Sequence, residues 1–290
     1  MSNQRTDANV LRDERDAIAF LGLLSHLYLS WDPPIQVQSS PPEVTHYCGL
    51  NIHALVIDNC DGEVLALERN YIHRDNSPVE HAEQLAIRAA IERVKVKRPR
   101  NASLTVEDYY RKHLFYADGV ASADFVYKGC TLFSSLEPCP MCAATLCVCR
   151  MKRVVYLIPD AKYGGSWDGR SMPGGKGLKE VYYNSYDLQY GQFAPNGSAS
   201  AVSVKAKQFY DDLIRKIVGL RNRKVPDTQF FDFLHPDLGE ICAYFLSVEE
   251  PDWITTGDDR QINALTLSGL KQRCNLPVKG AVPSIDTRGG

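Results

Sequence analysis

The spacing of apolar positions changes along the chain, and those changes lay out its elements. From about Asp7 to Trp31 a charged start, Arg12-Asp13-Glu14-Arg15-Asp16, passes into a nearly continuous apolar run, which predicts a helix halted by Pro33-Pro34. Ser39-Ser40-Pro41-Pro42 reads as a linker. Leu50–Asp58 and Glu63–Glu68 are strand-like, and the Asp-Gly step of Asn59-Cys60-Asp61-Gly62 between them signals a hairpin turn. A helical period then runs from about Val79 to Val96, with Ala82, Leu85, Ala86, Ala89, Ala90 and Val94 on one face. Residues 98–127 lose the pattern around a short helix at Val106–Leu114 and read as an insertion. Gly129–Leu136 is the next strand, Met141–Arg150 a helix and Val154–Ile158 a strand. Hairpin, helix, strand, helix, strand implies a parallel α/β layer with a short antiparallel edge.

A further helix is expected over Val202–Arg221, with Val202, Ala206, Phe209, Leu213, Ile217 and Leu220 as its apolar stripe. The chain thus divides into an N-terminal helical segment (1–42), a central domain (43–195) carrying the insertion, and a C-terminal extension (196–290) entered through Asn196-Gly197-Ser198. The tail from Gly280 reads as disordered.

Composition narrows the class. With 44% hydrophobic and 23% charged residues, the 290-residue chain is neither a disordered protein nor a coiled coil, and 20 Gly with 16 Pro excludes collagen-like repeats. The longest uncharged stretch, Ala17–Trp31, is 15 residues, short of the ~20 that span a bilayer. The mixed charges before it are unlike the basic start of a signal peptide, so a soluble cytoplasmic protein without membrane association is expected. Nine cysteines, an odd number, argue against a disulfide framework and for reduced thiols, some of them metal-bound. A net charge of −2 supplies no global field for nucleic acid. Two local basic runs remain, Arg93 to Arg100 and the helix face with Lys205, Lys207, Arg215, Lys216 and Arg221, which read as ordinary solvated faces unless a polynucleotide meets them.

The chemistry concentrates in two short motifs. His81-Ala82-Glu83 opens the Ala-rich helix, and Pro138-Cys139-Pro140-Met141-Cys142 lies between a strand and a helix. Cysteines three apart on a first helical turn face one side and can meet one metal, Pro140 fits the first helical position, and a helix N-terminus favours thiolates. His81, Cys139 and Cys142 supply three ligands for Zn2+, and the fourth position left for water distinguishes a catalytic from a structural site. Glu83, two residues beyond His81, is placed to take a proton from that water. A rival structural site of Cys139, Cys142, Cys147 and Cys149 is disfavoured, because Cys147 and Cys149 point about 200° apart on one helix. His46 and His53 flank a strand and read as satisfied strand histidines. Cys60 reads as an exposed turn thiol, and Gly164-Gly165 and Gly174-Gly175 lack the setting of a phosphate loop.

The pairing of H-x-E with P-C-x-x-C is the signature of zinc nucleobase deaminases. Over about residues 48–166 the chain resembles the cytidine/deoxycytidylate deaminase superfamily. Ser135 to Cys142, Arg153-Val154-Val155-Tyr156 and Asp160 to Gly165 are most similar to the branch of tRNA adenosine deaminases and guanine deaminases. The resemblance implies a three-layer α/β fold with a mixed β-sheet, flanked here by N- and C-terminal helical extensions. It also implies hydrolytic deamination with Glu83 moving the protons, and Asn70, in Glu68-Arg69-Asn70, against the substrate. The implied partner is a nucleobase, nucleoside or nucleotide, a small substrate being favoured, with tRNA or single-stranded DNA and a second copy of the chain as further partners. A binding module that keeps zinc for stability is the non-enzymatic alternative, and the presence of Glu83 speaks against it. The 58 residues from His81 to Cys139, the N-terminal helix and everything after about 195 depart from the pattern.

Overall fold

A computed structural model describes residues 2–31, 50–59, 61–97, 129–149, 151–165, 167–170, 176–178, 188–195, 197, 200–249 and 258–275. The expected insertion at 98–127 with its short helix, both Pro-rich stretches, His46, Cys60 and the tail lie outside them. The elements are α1 (Ser2–Leu29), β1 (His53–Asp58), β2 (Val64–Arg69), α2 (Ala82–Lys97), β3 (Cys130–Leu136), α3 (Pro140–Val148), β4 (Arg153–Ile158), β5 (Gln189–Gln192), α4 (Ala201–Asn222), α5 (Phe230–Phe233), α6 (His235–Ser247) and α7 (Asp258–Asn275).

The five strands form one sheet in the order β2-β1-β3-β4-β5. β1 pairs antiparallel with both β2 and β3, while β3–β4 and β4–β5 are parallel. The antiparallel part is therefore two of the four ladders and not a short edge, because the first strand of the hairpin pairs with β3 as well as β2. The hairpin itself turns where expected. Gly62 there has φ +76°, and a Cβ on it would stand 2.2 Å from the Ile262 carbonyl oxygen of α7, so both backbone angle and space demand glycine.

Every residue of β1 and of β3 is buried, as expected of strands covered on both faces. One face meets α2, and the alternation of the pleat brings Ser134 of β3 toward it. The other face meets α1, where the Phe20 ring stands edge-on to Phe133 at 5.5 Å. Residues 14–27 of α1 are buried without interruption. Its apolar stretch from Ala17 to Leu24 has no polar face to turn to water and must be enclosed, and α1 is, between the sheet and α4, α6 and α7. Three polar pairs cross its surroundings: Asp16 with Arg153 of β4 (2.5 and 2.6 Å), Asn263 of α7 with Glu14 (2.8 Å), and His26 with His53 of β1 (3.4 Å between Nδ1 atoms). No helix among the described residues is long and apolar enough to cross a membrane.

Candidate metal centre and cavity

Two helix N-termini converge on one point. The His81 carbonyl accepts the Leu85 N–H at 3.0 Å, which makes His81 the residue that opens α2. Cys139 does the same for α3 through the Ala143 N–H (2.9 Å), with Pro140 at the first helical position, where a missing N–H costs nothing. Gln84 locks the two helices together by donating to Thr145 Oγ1 at 2.9 Å. His81 Nδ1 then lies 3.6 Å from Cys139 Sγ and 3.7 Å from Cys142 Sγ. This His/Cys/Cys group is the one cluster of metal-ligating side chains among the described residues.

The donor set fits zinc. Tetrahedral zinc with bonds near 2.0–2.1 Å to nitrogen and 2.3 Å to sulfur separates an N and an S ligand by about 3.6 Å, the spacing seen here. The backbone carbonyl of Pro78 accepts a hydrogen bond from the His81 ring, the kind of outer partner that fixes the orientation of a metal-binding imidazole.

Glu83, on the first turn of α2, is buried beside this cluster. Its Oε2 lies 3.7 Å from Cys142 Sγ and its Oε1 3.4 Å from Ser134 Oγ. Burial, reinforced by the neighbouring Cys139 charge, pushes its carboxyl up to about 7. Cys139, accepting from Cys142 and His81, is held well below the usual thiol range, whereas Cys142 is held above it by sharing its proton with Cys139. One thiol of the pair is thus already disposed to ionise, as metal binding requires.

The cluster and Glu83 face a cavity of about 340 Å³. Leu50, Ile52, Leu136 and Met141 make it largely apolar, and Asn70, Asp160, Tyr163 and Thr228 add polar groups. Asn70 sits just beyond β2 with its Oδ1 accepting the Ile72 N–H (3.1 Å), so its amide NH2 is the end left to meet a ligand. Asp160 caps its own loop, Oδ1 accepting from Lys162 and Tyr163 N–H at 2.8 and 2.9 Å.

Sequence reasoning passed over Glu137, the residue before the Pro-Cys motif. Its buried carboxylate accepts the Gly165 N–H (2.8 Å) and the Asp160 N–H (3.2 Å) and pairs with Arg170 (3.1 Å), fastening the loop after β4. A Cβ on Gly164 would stand 2.4 Å from Glu137 Oε2, so that loop can approach only through glycine. An acidic residue abutting a metal motif was the available signal. Thr228 had none, because its position depends on how the C-terminal extension packs.

Other candidates fall elsewhere. His53 is buried in β1 against His26 and Ser30, remote in role from the metal cluster. Cys147 is buried in the core, and Cys149 ends α3; burial raises both thiols. On α4 the basic residues are matched: Lys207 pairs with Asp211 (2.7 Å), Arg215 with Asp212, Lys216 with Asp237, and Lys205 lies over the Phe209 ring. The other basic run begins in the last turns of α2 with Arg93, about 18 Å along the helix from His81.

Comparison with known proteins places the same segment. Residues 42–158 match the model of the cytidine and deoxycytidylate deaminase zinc-binding region. The chain is similar to the tRNA-specific adenosine deaminase of Aquifex aeolicus (28% identity over 105 residues, 36% of this chain and 51% of the relative). It is also similar to that of Rickettsia felis (25% over 113 residues, 39% and 59%). Among solved structures, guanine deaminase from Nitrosomonas europaea aligns at 16% identity and a TM-score of 0.34, covering 55% of this chain and 73% of that one. The chain spans about half the length of the curated relatives it matches.

Proposed function

We infer that this chain, whose residues 42–158 carry a cytidine and deoxycytidylate deaminase zinc-binding region, is a zinc-dependent hydrolase that exchanges the amino group of a nucleobase-type ring for oxygen and releases ammonia. The observation that carries this reading is Glu83, a buried carboxylate that belongs to no ligand set yet lies against His81, Cys139 and Cys142 at a cavity wall. A zinc site kept for stability has no use for such a group.

His81 Nδ1, Cys139 and Cys142 would hold the metal. Zinc there supplies Lewis acidity and makes water acidic enough to serve as nucleophile near neutral pH. Glu83 would take one proton from the attacking water and deliver it to a ring nitrogen, then take the second from the resulting hydroxyl and deliver it to the departing amine, so that the water oxygen stays on the ring as the oxo group and the amine leaves as ammonia. Burial of Glu83 keeps its carboxyl near the pH at which accepting and returning a proton are both easy. Asn70 offers its amide NH2 to an acceptor on the substrate, and the apolar walls exclude competing water.

Three features support a free base or another small substrate over a base within a polynucleotide. The cavity is at the lower end of the roughly 300–1,000 Å³ of small-molecule sites, the basic run of α2 begins about three turns along the helix from His81, and Lys207, Arg215, Lys216 and Arg221 of α4 are engaged by carboxylates. The names of the two curated relatives favour the second reading, a tRNA adenosine. Ammonia release from free bases, nucleosides, nucleotides, single-stranded DNA and tRNA separates them. Turnover of a free base is expected; conversion only within a strand, with binding that falls steeply with salt, would establish the polynucleotide reading instead, and no ammonia from any compound would leave the catalytic reading without support.

A further inference from the structure

Thr228 lies in the C-terminal extension, far along the chain from the other cavity-lining residues, which run from Leu50 to Tyr163. It sits in a single 3-10 turn, Asp227–Gln229, between α4 and α5. Two fastenings hold that turn over the cavity. On one rim the Asp227 carboxylate accepts the Ala161 N–H at 2.6 Å and the Arg221 Nε–H at 3.3 Å, while Arg221 also donates to the Pro159 carbonyl. These contacts grip the backbone on either side of Asp160, itself a lining residue. On the other rim Asn51 donates to Asp232 at 2.8 Å, beside the lining residues Leu50 and Ile52. Phe230 and Phe231, fully buried between the two fastenings, pin the turn to the core, and Pro226 fixes the backbone entering it. The Thr228 hydroxyl makes no hydrogen bond among the described residues.

We propose that the Asp227–Gln229 turn is a roof built by this chain's own extension, and that Thr228 is a specificity-determining contact that admits a free heterocyclic base and shuts out a base still carried on a nucleic-acid strand. This rests on the deaminase reading for the reaction but not for the binding. Among the described residues the turn is tied to two parts of the cavity wall, the Pro159–Ala161 backbone and the Asn51 segment, where it stands in the way of the flanking backbone of a polynucleotide. The Thr228 hydroxyl can give or accept one hydrogen bond at the edge of a bound ring, beside the polar groups of Asn70, Asp160 and Tyr163.

The test compares zinc-loaded wild type with Thr228→Val, Thr228→Trp and the doubly unfastened Asp227→Ala/Asp232→Ala. Zinc content and thermal melting are checked in each, and two readouts are taken: ammonia release, and calorimetric binding of adenine, guanine and cytosine against their nucleosides and a single-stranded oligonucleotide. Thr228→Val, which keeps the shape and removes the hydroxyl, is expected to weaken binding and raise KM for the preferred base about 2- to 10-fold with little change in kcat. Thr228→Trp should abolish base binding with zinc retained. Unfastening should raise nucleoside turnover relative to the free base at least about 10-fold. Should the unfastened protein not fold, the two Thr228 variants decide. Wild type that binds the oligonucleotide more tightly than any free base, or base binding unchanged in both Thr228 variants, overturns the proposal. Absence of ammonia from every compound sinks the deaminase reading, and calorimetry with Thr228→Trp still decides the roof.

Discussion

The buried histidine pair behind the sheet gives the protein an acid sensitivity that can be worked out in advance. His26 of α1 and His53 of β1 meet through their Nδ1 atoms at 3.4 Å, with Ser30 beside them, Arg69 at the end of β2 and Arg273 on α7. Burial, then the charges of Arg69 and Arg273, lower His26 from 6.5 to about 4, and burial with the same Arg69 holds His53 well below its usual value. Both rings are therefore neutral in the folded protein at pH 7 and cost nothing there. As pH falls below about 6.5 the unfolded chain takes up protons that the folded one refuses, so stability drops across the window from 6.5 to 4. For His26 alone the loss is roughly 2 kcal/mol at pH 5 and about 3 kcal/mol at full extent. His53 adds to it with the same sign. Set against a usual domain stability of about 5–15 kcal/mol, that is a large share.

Urea unfolding at pH 7.5 and pH 5.0, at fixed ionic strength and zinc, measures the effect as the difference between wild type and His26→Gln. Carboxylates and metal ligands titrate alike in both proteins and cancel. The variant is expected to lose about 2 kcal/mol less than wild type between the two pH values, whatever it has lost at pH 7.5 through altered packing. Equal losses in the two proteins would refute the assignment of the acid sensitivity to this pair.

Other expected outcomes are more local. Glu83→Gln should keep its zinc and its melting temperature while turnover falls about 10²–10⁴-fold; an active variant, assayed on whichever substrate wild type converts, would show that another group moves the proton. Cys142→Ala should lose zinc, read by metal analysis, and activity with it, whereas Cys147→Ala should retain both; the reverse pattern would place the metal elsewhere. Asp16→Ala strands the Arg153 guanidinium, which is held between α1 and β4, and should cost about 3–5 kcal/mol of unfolding free energy. A loss below 1 kcal/mol would mean that water reaches and solvates that arginine.

The metal centre was legible in the sequence because each half of it is local. His81-x-Glu83 and Cys139-x-x-Cys142 each occupy one helix start, and the geometry of a single helical turn decides where such side chains point. How the two halves meet is set by the sheet between them, which neither helical period nor motif spacing encodes; the ligand count of a catalytic zinc site, and then the resemblance to a known family, put them side by side. What remained hidden depends on contacts between distant segments. β5 escaped notice because Gln189-Tyr190-Gly191-Gln192 is a half-exposed edge strand with no apolar alternation. The double pairing of β1 escaped because a hairpin pattern does not reveal which of its strands continues the sheet. Thr228 escaped because nothing in Asp227-Thr228-Gln229 itself points to a ligand; its role follows from the Arg221, Ala161 and Asn51 contacts that hold the turn and its neighbours. The basic run at the end of α2 shows the converse. Its composition left room for a nucleic-acid surface beside the plainer reading of a solvated helix end, and the helix carries its first residue, Arg93, about three turns from His81.

The same distinction between local pattern and distant contact applies to α1. A helix whose central stretch carries apolar residues on every side gains nearly as much from burying them in one rotation about its axis as in another, so hydrophobicity alone cannot decide which face meets the sheet. The polar pairs can. Asp16 reaches Arg153 on β4, His26 meets His53 on β1, and Glu14 accepts from Asn263 on α7. Each would be left buried without its partner if α1 turned by a fraction of a turn, at a cost of about 1–3 kcal/mol for an uncharged group and more for a charged one. These groups sit on different sides of the helix and point to different layers, so together they admit one rotation and one height. Phe20 then falls between Phe133 and Phe193, and the face of the sheet opposite the cavity is closed. With that face fixed, β3 holds Ser134 against Glu83 and leads directly into the Glu137-Pro138-Cys139 corner. The first helix of the chain thus supports, from behind the sheet, the strand on which the Glu83 carboxylate leans.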